Sequence, residues 1–161
     1  MITILLGAPG VGKGTQAALA AESHGYTHMS TGELLRQEVA ESTELGKSAD
    51  TYMSRGDLVP DDIMVKMVAG RISSFPNEKV LLLDGFPRTI AQAAALEEAC
   101  TSGAIGLSLY FTAPEAVLTD RLLSRGRQDD TLEVITHRLG VYAKTTEPLV
   151  KYYSDQGLLR E

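Results

Sequence analysis

Apolar residues gather along this chain in two patterns. Short continuous runs mark strands: Ile2-Thr-Ile-Leu-Leu6 reads as buried, Val80-Leu-Leu-Leu83 suits a central strand of a parallel sheet buried on both faces, and Ile105-Gly-Leu-Ser-Leu-Tyr-Phe111 reads as a further strand. Between them lie longer stretches of helix formers. Gln16–Glu22 closes at Gly25, and Thr31–Arg36 opens a helix for which Ser30 or Thr31 is the N-cap. A further helical piece is expected over Glu44–Arg55, ending at Gly56. Another begins at Asp61-Asp62, acidic residues that suit a helix N-terminus. Ile90–Cys100, Pro114–Ser124 and one long helix over Thr131–Tyr153 complete the set, with Tyr26–Ser30 as a short second strand. Strand and helix alternate, which predicts a three-layer α/β/α fold with a parallel sheet and right-handed crossovers. Roughly fifty mostly helical residues separate the second and third strands, more than a crossover needs, and predict an inserted helical subdomain.

Composition narrows the setting. At 161 residues the chain is one domain with enough length for a proper core. A net charge of −6 argues against a general nucleic-acid or anionic-membrane surface, while leaving room for a locally positive cleft. One cysteine, Cys100, allows no internal disulfide and no cysteine metal cluster, and is expected to pack against a helix. The apolar start is too short for a signal peptide and no run reaches membrane-spanning length, so a soluble cytoplasmic setting is expected. His24, His28 and His137 lack metal-ligand spacing.

The strongest chemical signal is Gly7-Ala-Pro-Gly-Val-Gly-Lys-Gly-Thr15, between the first strand and the first helix. Strand, glycine-rich turn and helix in that order make a phosphate-binding P-loop: backbone N–H groups and the helix N-terminus point at the anion, and Lys13 adds a mobile positive charge. Gly14 follows the lysine where the strict motif has Ser or Thr, and Thr15 comes one place later. Asp84 ends the third strand, on the side where open α/β sheets gather their ligands.

Together, Gly7–Gln16, Ser30-Thr-Gly-Glu-Leu-Leu-Arg36, Asp84-Gly-Phe-Pro-Arg88, Gln92, Arg121, Arg125, Arg127-Gln-Asp-Asp130, Arg138-Leu139 and Thr146-Glu-Pro-Leu149 resemble the adenylate kinases, in order and across the whole chain. In that family glycine after the loop lysine is usual. The resemblance implies reversible Mg²⁺-dependent phosphoryl transfer from ATP to AMP, giving two ADP. It implies an ATP site at Gly10, Val11, Gly12, Lys13, Gly14, Thr15, Arg121 and Arg125. Thr31, Arg36, Leu58, Val59, Gly85, Arg88, Gln92, Arg127 and Arg138 would form the AMP site, with Thr31 and Gln92 serving the base. Lys13, Arg88, Arg127 and Arg138 would act on the transferring phosphoryl, Asp84 would hold hydrated Mg²⁺, and Asp129 and Asp130 would orient arginines. Pro87 is cis in the family. The implied organisation is a core over 1–29 and 61–161, an NMP-binding insertion over about 30–60, and a minimal lid over about 126–130.

Two departures follow from the same comparison. Only Gly126 separates Arg125 from Arg127, where long-lid relatives insert a domain, so this is a short-lid form with no structural zinc. The family continues beyond the position of Glu161 into a last strand and helix. The strand Ile105–Phe111 is therefore expected to lack a neighbour, to weaken the ATP adenine wall, and to leave an edge through which a family of monomers could associate. Two alternatives share these motifs: a UMP/CMP-type kinase, against which Thr31 argues, and a nucleotide-binding regulatory protein with impaired turnover. No nucleic-acid or membrane partner is expected.

Overall fold

The computed structural model describes residues 1–73, 75–76, 79–101, 103–127 and 129–161. Gln128, within the expected lid, lies outside the described residues. The strands β1 (Ile2–Gly7), β2 (Thr27–Ser30), β3 (Leu81–Asp84), β4 (Ile105–Phe111) and β5 (Leu159–Arg160) form one all-parallel sheet in the order β2-β3-β1-β4-β5. β1 is central and buried at every position, which is why its sequence shows no alternation. Its neighbour β3 pairs Ile2 with Leu81 and Leu5 with Asp84, placing Asp84 level with the end of β1.

The helices are α1 (Lys13–His24), α2 (Thr31–Ala40), α3 (Glu44–Met53), α4 (Asp61–Ile72), α5 (Ile90–Ala99), α6 (Glu115–Arg125), α7 (Leu132–Val141) and α8 (Pro148–Asp155). Ser30 is the N-cap of α2, its hydroxyl accepting from Glu33 N. α2 and α3 pack on each other between β2 and α4, and form the expected helical excursion. On one side of the sheet Ile2, Ile4, Leu6, Leu81 and Leu83 meet Ala93, Leu96, Leu149 and Tyr153 in the main core, with Cys100 packed against it. On the other, Leu5 and Leu82 meet Ala17 of α1. Among the described residues no helix is long and apolar enough to cross a membrane.

Two expectations are corrected. The single helix over Thr131–Tyr153 is instead α7, a π-helical turn at Tyr142–Thr146 and α8. Pro148 has no N–H to continue an α-helical ladder, and Glu147 N reaches back five residues to Tyr142 O at 2.9 Å. The strand Ile105–Phe111 does not lack its neighbour. After α8 the chain turns at Gly157, whose φ of +73° suits a glycine, while Leu158 N donates to Tyr153 O at 3.0 Å. That turn delivers Leu159–Arg160 beside β4 as β5, paired at Ser108 and Leu109, and Ser108 N donates to Leu158 O at 2.9 Å.

Candidate functional site

A cleft of about 860 Å³ opens at the carboxyl ends of β1 and β3, between α2, the α3–α4 loop, α6 and α7. Its floor is the loop Gly7–Thr15. Gly10 stands at φ +84° with Leu118 O and Leu122 Cγ both 2.9 Å from where a Cβ would lie, so only glycine lets α6 press onto the loop. α1 starts at Lys13, leaving its first N–H groups directed into the cleft. The Lys13 ammonium donates to Gly7 O at 2.7 Å and Ala8 O at 3.1 Å. Burial lowers its pKa from 10.5 to about 8; Asp84 opposes the shift, and Arg88 and Arg125 add to it.

Asp84, half-buried at the end of β3, faces this loop: its Oδ2 lies 3.3 Å from the place a Cβ on Gly14 would take. His28 Nε2 approaches the same oxygen to 3.6 Å and is buried, with no hydrogen-bond partner among the described residues.

The β3–α5 loop forms one wall. It carries Gly85, a cis Phe86–Pro87 bond, and Arg88, whose Nε donates to Gly85 O at 2.7 Å and whose O accepts from the Thr146 hydroxyl at 2.9 Å. Burial pushes the Arg88 guanidinium below its usual pKa. Thr89 caps α5 by accepting from Gln92 N at 3.1 Å. Gln92 Oε1 accepts from Arg88 N, and its Nε2 donates to Asp61 Oδ1, both at 2.7 Å. Arg36 of α2 and Leu58 and Val59 of the α3–α4 loop line the opposite wall.

Arginines from α6 and α7 close the cleft. Arg121 Nη1 donates to Val11 O at 3.3 Å, tying α6 to the phosphate loop. Arg125 grips Asp130 with both arms, at 2.8 and 2.6 Å, and Arg127 N donates to the same carboxylate at 3.2 Å. Arg138 bonds Asp129 through Nη2 and reaches Asp130 through Nη1 at 3.4 Å. Burial alone would raise the Asp130 carboxyl, but the Arg125 fork and its neighbours hold it below the usual range. Arg36 and Arg127 are lowered chiefly by burial.

Of the residues singled out in the sequence, Gly10, Val11, Gly12, Lys13, Gly14, Thr15, Arg36, Leu58, Val59, Asp84, Gly85, Arg88, Gln92, Arg121, Arg125, Arg127 and Arg138 all border this cleft. Thr31 does not. It is fully buried, its hydroxyl donating to Asp84 O at 3.3 Å. Tyr142 and Thr146 also line the cleft, brought there by the π turn that the periodicity did not show. Burial beside Tyr110 pushes the Tyr142 phenol above its ordinary range. Seven cationic side chains around one cleft can hold the phosphates of two nucleotides end to end.

Comparison with known proteins agrees with this geometry. A family model described as adenylate kinase matches residues 5–158. An adenylate kinase of Prochlorococcus marinus (strain MIT 9301) is 46% identical over 158 residues, 97% of this chain and 86% of the relative. One of Synechococcus sp. (strain CC9902) is 48% identical over 158 residues, with the same coverage. One of Corynebacterium aurimucosum is 47% identical over 154 residues, 94% of this chain and 85% of the relative. A phosphate loop facing an arginine-lined cleft, on a chain matched along nearly its full length, places the protein in the adenylate kinase family.

Proposed function

We propose that this chain moves the γ-phosphoryl of ATP onto AMP, giving two ADP, as a cytoplasmic enzyme. The observation that carries the reading is the convergence of Lys13, Arg88, Arg125, Arg127 and Arg138 on one cleft floored by the phosphate loop. An AMP phosphate oxygen attacks the γ-phosphorus, and the bond from that phosphorus to the β–γ bridging oxygen breaks. The nucleophile is already an anion, so no general base is required. Holding two anions in line and offsetting charge on the migrating group supply the catalysis. Lys13 and the loop N–H groups take the ATP phosphates, with Arg121 and Arg125 from α6. Arg36 and Arg88 take the AMP phosphate, Leu58, Val59 and Gln92 border its base, and Arg127 and Arg138 span the transfer. The helical segment over about 30–60 serves as the NMP-binding part and 126–130 as the lid.

Magnesium fits this site as a companion of ATP. Among the described residues no group of three or more His, Cys, Asp or Glu could cage a metal, and Asp84 stands beside the phosphate loop as a single carboxylate. Such a donor set suits an ion held mostly by water and phosphate oxygens, and bound there Mg²⁺ would neutralise phosphate charge. Asp84 would hold it through water.

A coupled ADP-release assay with Mg²⁺ and ATP, offering AMP, CMP, UMP and GMP in turn, tests the reading. AMP should be the preferred acceptor. Preference for CMP or UMP would identify a pyrimidine kinase, and nucleotide binding without turnover would identify a regulatory protein.

A further inference from the structure

The Gln92 side chain, 1 % exposed, is held in one orientation by the fold itself. Arg88 N donates to its Oε1 and its Nε2 donates to Asp61 Oδ1, each at 2.7 Å. The second Asp61 oxygen, Oδ2, accepts from the Thr89 hydroxyl at 2.9 Å. Asp61 is the first residue of α4, where the helix end favours a carboxylate, so it is anchored from both sides. A peptide N–H can only donate and a carboxylate can only accept. Turning the amide over would set NH₂ against N–H and carbonyl against carboxylate, losing both bonds.

We infer that Asp61 is a positioning residue that makes the cleft select a 6-amino purine over a 6-oxo purine, by fixing which end of the Gln92 amide faces Arg88. The inference rests on the proposed AMP site. After Arg88 and Asp61 are satisfied, Gln92 keeps one acceptor lone pair on Oε1 and one N–H on Nε2. Adenine presents an amino donor at C6 beside an acceptor at N1, which complements that remainder. Hypoxanthine and guanine present a carbonyl at C6 and an N–H at N1, the inverse pattern. Pairing with them requires the flipped amide, which Asp61 and the Arg88 N–H both oppose. A site built around oriented polar groups rejects the mismatched base because those groups are left unpaired.

The test uses the full chain and ATP as donor, with AMP and IMP as acceptors, since IMP changes the C6 and N1 pattern without adding a 2-amino group. Asp61→Asn keeps size and shape, but its amide can present either a donor or an acceptor to Gln92. The KM for AMP should rise while that for IMP falls, with little change in kcat. The AMP-to-IMP ratio of kcat/KM should drop about tenfold, the scale of one base-reading hydrogen bond. A merely structural Asp61 would move both KM values the same way. A ratio within twofold of the parent in a folded Asp61→Asn protein overturns the inference. Gln92→Ala separates the two levels: if it leaves the ratio unchanged, the AMP-site reading fails and takes this inference with it. If Gln92→Ala lowers the ratio and Asp61→Asn does not, Asp61 alone is excluded. Should Asp61→Asn not fold, Thr89→Ala, which frees the carboxylate to turn, must lower the same ratio, and no fall overturns the proposal.

Discussion

Nucleotide binding should draw a proton onto Lys13, and the amount can be worked from its burial. The folded pKa is about 8 against 10.5 for an ordinary lysine. That difference corresponds to about 3 kcal/mol held against the charged form. Between those two values the unfolded chain binds more protons than the folded one, so stability rises with pH across that window and is reduced below it. A bound triphosphate reverses the balance, because its oxyanions restore the ammonium form. Uptake should then be about half a proton per ATP at pH 8 and about nine tenths at pH 9. The terminal phosphate, with a second pKa near 6, is already ionised there and contributes little. Calorimetry of Mg-ATP binding in buffers of different ionisation enthalpy reads the uptake directly as a slope. The same titration on Lys13→Met should give no slope, and that variant should lose transfer while its circular dichroism matches the parent. A zero slope for the parent at pH 9, an equal slope for Lys13→Met, or activity within tenfold in Lys13→Met would refute the placement of Lys13 against the phosphates.

Two other substitutions probe the helix packing and the ion pairs beside the cleft. In α3, a Cβ on Gly46 would stand 2.0 Å from Glu38 O and 2.6 Å from Val39 N, so Gly46→Ala must force α3 away from α2. Urea unfolding should show a loss of about 1–3 kcal/mol, and a change under about 0.5 kcal/mol would show that the two helices separate freely. Asp130→Ala removes the acceptor shared by Arg125, Arg127 N and Arg138, and kcat should fall about tenfold to a hundredfold as the arginines lose their fixed directions. Steady-state rates at saturating nucleotide decide it, and an unaltered kcat would mean the substrates alone orient these side chains.

What the sequence reveals, and what it hides, divides by the range of the interaction involved. β1 runs one residue past its apolar run, because a strand buried at every position writes its length as apolar residues, and β4, though mostly only half-buried, also has the bounds that its run predicts. The phosphate loop is equally legible, since its function is local: a turn, a lysine and a helix start. The stretch after Thr131 misleads because helical backbone continues on both sides of Tyr142–Thr146, while the missing N–H of Pro148 reorganises the ladder before it. Asp61 reads as an ordinary helix-starting acid, and its bond to Gln92 depends on α4 and α5 lying side by side. Thr31 is marked only by its motif, and the structure adds what the sequence does not show, a hydroxyl that donates to the Asp84 carbonyl from a fully buried position.

The cleft also explains how an acidic chain can be built around a positive centre. Lys13, Arg36, Arg88, Arg121, Arg125, Arg127 and Arg138 line it together with Glu33, Asp57 and Asp84, and so many cations repel one another unless something intervenes. The two adjacent aspartates after Arg127 intervene at the point of greatest crowding: Asp130, its side chain 1% exposed, lies between Arg125 and Arg138. Removing Asp130 leaves Arg125 without its carboxylate in a partly desolvated space, which costs more than the pair contributes when intact. The neutralisation is incomplete: among the described residues seven cations line the cleft, against the five carboxylates Glu33, Asp57, Asp84, Asp129 and Asp130 that line it or pair with its arginines. The remaining positive charge is what the phosphates of two bound nucleotides complete. Substrate binding and folding are thereby linked: each nucleotide bound stabilises the folded chain by mass action and relieves repulsion that the protein alone leaves in place.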